Sequence, residues 1–192
     1  MYKFFYKLNL LFKRVLHYDK PLRVALLAYL SLKFKTFKPH YESILYEGCL
    51  EAKKLGINKV SVIELGVAGG AGIISLEKYK KKIQKVLDIN IDIYGFDTGS
   101  GLPKIEMDED LPFLWRKGLY KINKIALEKK INSKIFYGDV KNTLDDFIKI
   151  NKNNICCIFF DLDLYTSTLN FLNQIPKIKD HLLPRVLCYF DD

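Results

Sequence analysis

Short apolar runs recur along the chain and alternate with stretches whose apolar residues recur at helical spacing. Five runs are predicted strands because they are mostly apolar and do not alternate regularly between apolar and polar residues: Lys59–Leu65, Ile91–Phe96, Lys134–Tyr137, Ile155–Phe160 and Val186–Phe190. Strands of this kind are buried on both faces, which is typical of a parallel sheet covered by helices. The pattern predicts an α/β fold, a Rossmann-like doubly wound parallel sheet.

The segments before and between these strands predict the covering helices. Helical periodicity covers residues 41–55, where Gly56 supplies a stop, and then a stretch through Leu76 to about Val86. Residues 111–130 predict a loop followed by a helix. Two further helices are expected over residues 143–150 and 166–175.

A glycine-rich turn follows the first strand and opens a helix. Glu64 is the second-last residue of the strand, and the turn contains Gly66, Ala68, Gly69 and Gly70. Glycines allow a tight turn and a close approach to a ligand, and a helix N-terminus favours anionic groups. The turn therefore predicts a site for a nucleotide-like cofactor. The glycine spacing is not that of a dinucleotide fingerprint, and no Gly-Lys-Ser/Thr phosphate loop is present.

Acidic residues end the next two strands. Asp97 follows the second strand and is predicted to chelate the hydroxyls of a ribose. Asp139 lies at the tip of the third strand, where it could accept a hydrogen bond from an adenine amino group. Ligands of open parallel sheets bind outside the carboxyl ends of the strands, so both acids are expected at the edge that carries the turn.

Two acidic pairs end the fourth and fifth strands. Asp161 and Asp163 follow the fourth strand, and Asp191 and Asp192 follow the fifth. Neighbouring strands lie about 4.8 Å apart, so these carboxylates would converge and repel one another unless neutralised. A hard divalent ion such as Mg²⁺ could neutralise them and orient a substrate hydroxyl. The alternative is that Asp163 caps the following helix and that the last pair is solvated.

Four of these motifs together resemble a known family. The stretch from Val62 to Gly70 resembles motif I of class I S-adenosylmethionine-dependent methyltransferases. Phe96–Pro103 and Phe160–Thr168 resemble motifs of the macrocin O-methyltransferase group. Asp191 and Asp192 match the second acidic pair of that group. The resemblance covers about residues 41–192.

The resemblance implies methyl transfer to a hydroxyl oxygen of a sugar or related small metabolite. It implies that the turn from Glu64 to Gly70, together with Asp97, binds S-adenosylmethionine. It implies metal ligands at Asp161, Asp191 and Asp192. Asp161 and Asp163 are the candidate catalytic residues, with Asp163 the candidate base.

The chain departs from the family pattern in two places. Leu183, Pro184 and Arg185 stand where the family usually has a glycine before the fifth strand. The helix and two-strand hairpin that normally follow the fifth strand are absent, so we expect the domain of residues 41–192 to be C-terminally incomplete.

Two alternative functions remain open. An Asp-x-Asp motif after an apolar strand also occurs in metal-dependent glycosyltransferases, although the glycine turn and Asp97 would then have no role. The chain could also be a non-catalytic remnant that binds a cofactor or a partner.

Composition limits the partners. The net charge of +9 comes mostly from lysines spread along the chain, and no nucleic-acid-binding motif accompanies it, so no nucleic acid is expected. Residues 1–40 predict a basic, aromatic helical arm, too short in its apolar stretch to span a bilayer. The arm is expected to pack on its own domain or on a second subunit of a homodimer, or to make peripheral contact with a membrane.

The cysteines indicate the compartment. Cys156 and Cys157 lie in one apolar run and Cys188 in another, which predicts buried, reduced thiols rather than a disulfide framework. We therefore expect a cytoplasmic protein.

Overall fold

The computed structural model describes residues 38–191. The predictions for the N-terminal arm and for Asp192 as a metal ligand therefore concern residues outside the described range, apart from the last three residues of the arm. The elements, in chain order, are α1 (Pro39–Lys54), β1 (Lys59–Leu65), α2 (Ala71–Leu87), β2 (Asn90–Asp97), a 3₁₀ helix (Asp108–Asp110), α3 (Lys124–Glu128), β3 (Lys134–Tyr137), α4 (Val140–Ile150), β4 (Asn154–Phe160), α5 (Tyr165–Leu172), α6 (Ile175–Ile178), a 3₁₀ helix (Lys179–His181) and β5 (Leu182–Phe190).

The five strands form one parallel sheet in the order β3-β2-β1-β4-β5. The chain runs outward from β1 to β3 and then returns to β4 on the other side of β1. This reversal makes the boundary between β1 and β4 the topological switch point, where open α/β sheets bind their ligands. The predicted Rossmann-like doubly wound sheet is confirmed.

Helices cover both faces of the sheet, as the apolar strands predicted. On one face α1 and α2 pack through side chains such as Leu45, Cys49 and Leu76. On the other face α4 and α5 pack through Phe147 and Phe171. Gly48 allows α1 to lie directly against β4, because a Cβ there would overlap the Cys157 sulfur. The close packing holds the start of α1 beside the tips of the central strands.

The structure differs from the sequence-based prediction where prolines occur. β5 begins at Leu182 rather than at Val186, and its pairing with β4 is irregular in the segment around Pro184. A proline is tolerated there because β5 is an edge strand of the described sheet. The helix predicted over residues 166–175 ends at Leu172, and α6 starts afresh with Pro176 in its first turn.

The predicted burial of the thiols is confirmed for Cys156 and Cys157 and is wrong for Cys188. Cys49, Cys156 and Cys157 are free and buried, whereas Cys188 is exposed because β5 lies at the sheet edge. In residues 38–191, no helix combines the length and the apolar character needed to cross a bilayer. The division at residue 40 stays a prediction, with α1 beginning at Pro39.

Candidate functional site

A cleft lies at the switch point, at the carboxyl ends of the strands. Its lining comes from the end of β2, the loops after β1, β2 and β4, and the start of α5. It consists of Gly66, Ala68, Asp97, Thr98, Gly101, Leu102, Pro103, Tyr120, Asp161, Leu162, Asp163 and Ser167. Five of the residues selected from the sequence therefore meet in one cleft. Glu64, Gly69, Gly70, Asp139 and Asp191 are not among the lining residues.

The glycine turn has a backbone that requires glycine at two positions. Gly66 has a φ of 83°, and a Cβ there would overlap the backbone carbonyl of Asp161, so β1 and β4 approach closely at this point. Gly70 has a φ of 86° and is the N-cap of α2. Ala68 also adopts a left-handed conformation, with a φ of 44°. A Cβ at Gly69 would meet no described atom within 4 Å, so the turn is open on that side.

Asp97 joins the loop after β2 to the glycine turn. Its Oδ2 accepts hydrogen bonds from the backbone N–H groups of Val67 at 2.9 Å and Ala68 at 3.0 Å, and its Oδ1 accepts one from Gly99 at 2.6 Å. A carboxylate has about four acceptor positions, so these three bonds leave room for one further donor. Asp97 can therefore shape the turn and still bind one ligand hydroxyl.

Glu64 lies beneath the cleft. Its side chain is 1% exposed, and Gly72 in the first turn of α2 provides the space for its carboxyl group. Neither carboxyl oxygen has a hydrogen-bond partner of good geometry among the described residues. The Tyr41 hydroxyl lies close enough to favour the ionised form of Glu64, which lowers its pKa slightly. Burial, partly offset by the positive charge of Lys38, raises the pKa of Glu64 from 4.5 to about 8. The group is therefore mostly a neutral acid at pH 7.

Asp161 contacts the start of α1. Its Oδ2 accepts hydrogen bonds from Lys38 Nζ at 2.7 Å and from the Tyr41 hydroxyl at 3.3 Å. Lys38 also lies 4.6 Å from the centre of the Tyr41 ring. Burial, followed by the negative charge of Glu64, raises the pKa of Tyr41, so its hydroxyl stays protonated and acts as a donor. The Asp161 carboxylate is thus held by one ammonium and one phenol.

The other acidic residues have separate surroundings. Asp191 follows β5, beside Asp161, with its backbone N–H donating to the carbonyl of Phe160 at 3.0 Å. This adjacency confirms the predicted pairing of the two strand tips. The side chain of Asp191 accepts a hydrogen bond from the Tyr189 hydroxyl at 2.7 Å. Asp139 is the N-cap of α4 and accepts from the backbone N–H of Lys141 at 2.9 Å.

Asp163 does not cap the helix that follows it. It has a left-handed φ of 59°, and the N-cap residue of α5 is Leu164, with no capping bond from its own side chain. Asp110 supplies the cap instead, because its Oδ1 accepts from the backbone N–H of Thr166 at 2.8 Å. Aspartate tolerates this left-handed conformation better than most residues, and Asp163 lies in the lining of the cleft.

The predicted magnesium ion finds no support among residues 38–191. No group of three or more His, Cys, Asp or Glu side chains in that range is placed to hold a metal ion. Asp161 and Asp191 direct their carboxylates to Lys38 and Tyr189 respectively. The third predicted ligand, Asp192, lies outside the described residues. The side chains of residues 38–191 therefore do not by themselves form a site for a divalent ion.

Sequence reasoning missed Lys38, Tyr41 and Asp110. The contacts of Lys38 and Tyr41 with Asp161 span 123 and 120 positions, and no local pattern announces them. His40 also lies beside these residues, with its ring centre 5.1 Å from that of Tyr41. Its ring stacks on Tyr189 at 4.8 Å, its Nε2 is buried without a described partner, and burial lowers its pKa.

No family model matches the chain, and no curated protein matches its sequence. Solved structures do match. The crystal structure of CalS11, a calicheamicin methyltransferase, is 21% identical with a TM-score of 0.61, over 93% of this chain and 74% of that one. An apo structure of CalS11, described as a TDP-rhamnose 3'-O-methyltransferase of calicheamicin biosynthesis, is 20% identical with a TM-score of 0.50 and the same coverage. At these identities the likeness establishes the fold, which this chain shares with a sugar methyltransferase.

Proposed function

We propose that the protein is an S-adenosylmethionine-dependent methyltransferase of the macrocin O-methyltransferase-like group. Its acceptor would be a hydroxyl oxygen of a sugar or a related small metabolite. One observation carries the proposal: the glycine turn, Asp97 and the acidic tip of β4 line one cleft at the switch point. The likeness to CalS11, a TDP-rhamnose 3'-O-methyltransferase, supports the choice of acceptor.

The proposed cofactor site is the part of the cleft formed by the turn after β1. Asp97 would accept a ribose hydroxyl at its remaining acceptor position, while it continues to hold the turn. Gly66, Ala68, Gly69 and Gly70 would form the surface beneath the cofactor, at the N-terminus of α2. Glu64 would act from below as a neutral hydrogen-bond donor. Asp139 remains the candidate for the adenine amino group, with Oδ2 left over from its capping role.

The proposed acceptor site is the part of the cleft beside Asp163. S-adenosylmethionine would supply a methyl group on a sulfonium, which is electrophilic without further activation. Asp163 would accept the proton of the acceptor hydroxyl while the oxygen forms its new bond to carbon and the sulfur–carbon bond breaks. Asp161, fixed by Lys38 and Tyr41, would orient the acceptor through its second oxygen. Holding the reactants in line is a large part of the rate enhancement in such displacements.

Titration calorimetry with S-adenosylmethionine and S-adenosylhomocysteine tests the cofactor assignment. We expect micromolar binding to the wild-type protein and, for Asp97→Ala, a loss of affinity of roughly ten-fold or more, as for a lost charge-assisted hydrogen bond. Asp92→Ala is the matched control, since it removes a carboxylate from the same strand, where Asp92 pairs with Lys59 at 3.0 Å. The control variant should bind like the wild type.

Other outcomes of the same titration would favour the alternative functions. Binding of a sugar nucleotide with Mn²⁺, in the absence of any binding of S-adenosylmethionine, would contradict the proposal and favour a glycosyltransferase. Failure to bind either ligand would favour a non-catalytic remnant that binds a partner instead of a cofactor.

The free, buried thiols of Cys49, Cys156 and Cys157 support our placing the protein in the cytoplasm. Homodimer formation and peripheral membrane contact through residues 1–40 stay predictions.

A further inference from the structure

Lys38 occupies the place where the acidic strand tips would need a cation. Its ammonium lies 2.7 Å from Asp161 Oδ2, with both side chains about three-quarters buried, at 21% and 26% exposure. Asp191 follows the neighbouring strand β5 and brings a second carboxylate to the same edge of the sheet. Carboxylates gathered in this way repel one another unless a positive charge lies among them. Lys38 is the cation that the described part of the chain brings to Asp161.

The backbone of Lys38 shows that the position is held against local preference. Lys38 is the N-cap of α1, with φ 76° and ψ 72°, directly before Pro39. A left-handed conformation is unfavourable for a non-glycine residue, and the residue before proline prefers an extended one. A positive charge is also unfavourable at the N-terminus of a helix. The ion pair with Asp161 offsets these local costs.

The contacts around the ammonium make the position specific. Tyr41 lies in the first turn of α1 and is fully buried. Its hydroxyl contacts both members of the ion pair, because it accepts a hydrogen bond from Lys38 Nζ at 3.3 Å and donates one to Asp161 Oδ2 at 3.3 Å. The Tyr41 ring in turn packs against Phe159 of β4 at 4.4 Å. The ammonium is therefore seated by a side chain that belongs to the core.

We propose that Lys38 is the built-in cation of this edge and that it excludes a divalent metal ion from Asp161. A magnesium ion needs oxygen ligands at about 2.1 Å in near-octahedral geometry, and an ammonium hydrogen-bonded to Oδ2 competes for that oxygen. The inference rests on the contacts of Lys38 and stands whether or not the cleft binds S-adenosylmethionine.

Electron paramagnetic resonance of Mn²⁺ tests the proposal without any substrate or cofactor. We expect the wild-type protein to leave the free Mn²⁺ signal unchanged at millimolar concentrations. Lys38→Met removes the charge while keeping an apolar stem of similar length, and it should raise the affinity for Mn²⁺ by roughly ten-fold or more. The double variant Lys38→Met with Asp161→Asn should lose that gain.

Two controls separate the exclusion of metal from a purely structural role. Lys38→Arg keeps the cation and should bind no Mn²⁺. Lys59→Met breaks another Lys–Asp ion pair, which Lys59 makes with Asp92 at the opposite end of the sheet. This variant should also bind no Mn²⁺. Circular dichroism establishes that each variant is folded.

Two results would overturn the proposal. One is binding of Mn²⁺ by the wild-type protein that Asp161→Asn abolishes, and this result does not depend on the folding of any Lys38 variant. The other is a folded Lys38→Met protein, or a folded Lys38→Ala protein, that binds no more Mn²⁺ than the wild type.

Discussion

Glu64 keeps an ionisable group in a place that water does not reach. Its carboxyl is fully buried, has no hydrogen-bond partner among the described residues, and has a pKa of about 8 in place of 4.5. Below pH 4.5 the group is neutral in both the folded and the unfolded chain, so it does not affect stability there. As the pH rises toward 8, only the unfolded chain ionises readily, and the folded state loses stability.

Replacing Glu64 by glutamine tests this linkage. Glu64→Gln keeps the size of the side chain and cannot ionise, so the melting temperature of the variant should fall less than that of the wild type between pH 5 and pH 8. The gain in unfolding free energy near pH 8 should reach a few kcal/mol, from ~1.4 kcal/mol for each unit of pKa shift. Thermal unfolding followed by circular dichroism across this pH range measures the difference.

Glu109→Gln is the control for the Glu64 experiment. It removes a carboxylate that is exposed in the 3₁₀ helix, and its stability profile should run parallel to that of the wild type. Parallel profiles for wild type and Glu64→Gln would instead show that Glu64 ionises normally in the folded protein.

The segment after β2 owes its position to one buried aspartate. Asp110 is fully buried, and its carboxylate accepts from the backbone N–H of Thr166 at 2.8 Å and from the Thr166 hydroxyl at 2.8 Å. The 3₁₀ helix is thereby joined to the N-terminus of α5. The same segment continues to Tyr120, which lines the cleft, so the bond between two elements also shapes the site.

Asp110→Ala should loosen this segment. Loss of a helix cap costs about 0.5–2 kcal/mol, and the hydroxyl of Thr166 would lose its partner as well. We expect a lower midpoint in urea unfolding and faster cleavage by trypsin after Arg116 or Lys117. Asp108→Ala, which removes an exposed carboxylate from the same 3₁₀ helix, should behave like the wild type. Equal cleavage rates in the two variants would contradict the role given to Asp110.

Elements specified by neighbouring residues could be predicted from the sequence, and those specified by distant contacts could not. The strands around Val62 and Ile158 were predicted because their apolar runs are local patterns. The start of β5 was missed because its pairing with β4 tolerates Pro184. The cap of α5 comes from Asp110, 56 positions earlier, so Asp163 beside the helix was the natural but mistaken candidate.

The same division holds for the candidate site within the whole molecule. Parallel strands bring their carboxyl ends to one edge, so the sequence could place Gly66, Asp97 and Asp161 together. It could not place Lys38, because the packing of α1 on β4, rather than any local pattern, brings Lys38 to Asp161. The packing of α1 on β4 therefore determines which cation lies beside Asp161.

The contribution of an aromatic residue to the free energy of unfolding should depend on its burial in the core, and not on its apolar character alone. Phe147 of α4 is fully buried against the sheet, with ring centres 5.6 Å from Phe96 and 5.9 Å from Phe136. Phe147→Ala should lower the free energy of unfolding by about 3–5 kcal/mol, since it removes core contacts and leaves a cavity. Urea unfolding followed by circular dichroism measures this change.

Phe113→Ala is the matched comparison, because Phe113 is 85% exposed in the loop after the 3₁₀ helix Asp108–Asp110. Its unfolding free energy should stay within about 0.5 kcal/mol of the wild type. A large loss of stability in Phe113→Ala would mean that this side chain is covered in solution, and the loop would then be part of an interface. A small loss in Phe147→Ala would mean that the second face of the sheet is not the closely packed core that the ring contacts indicate.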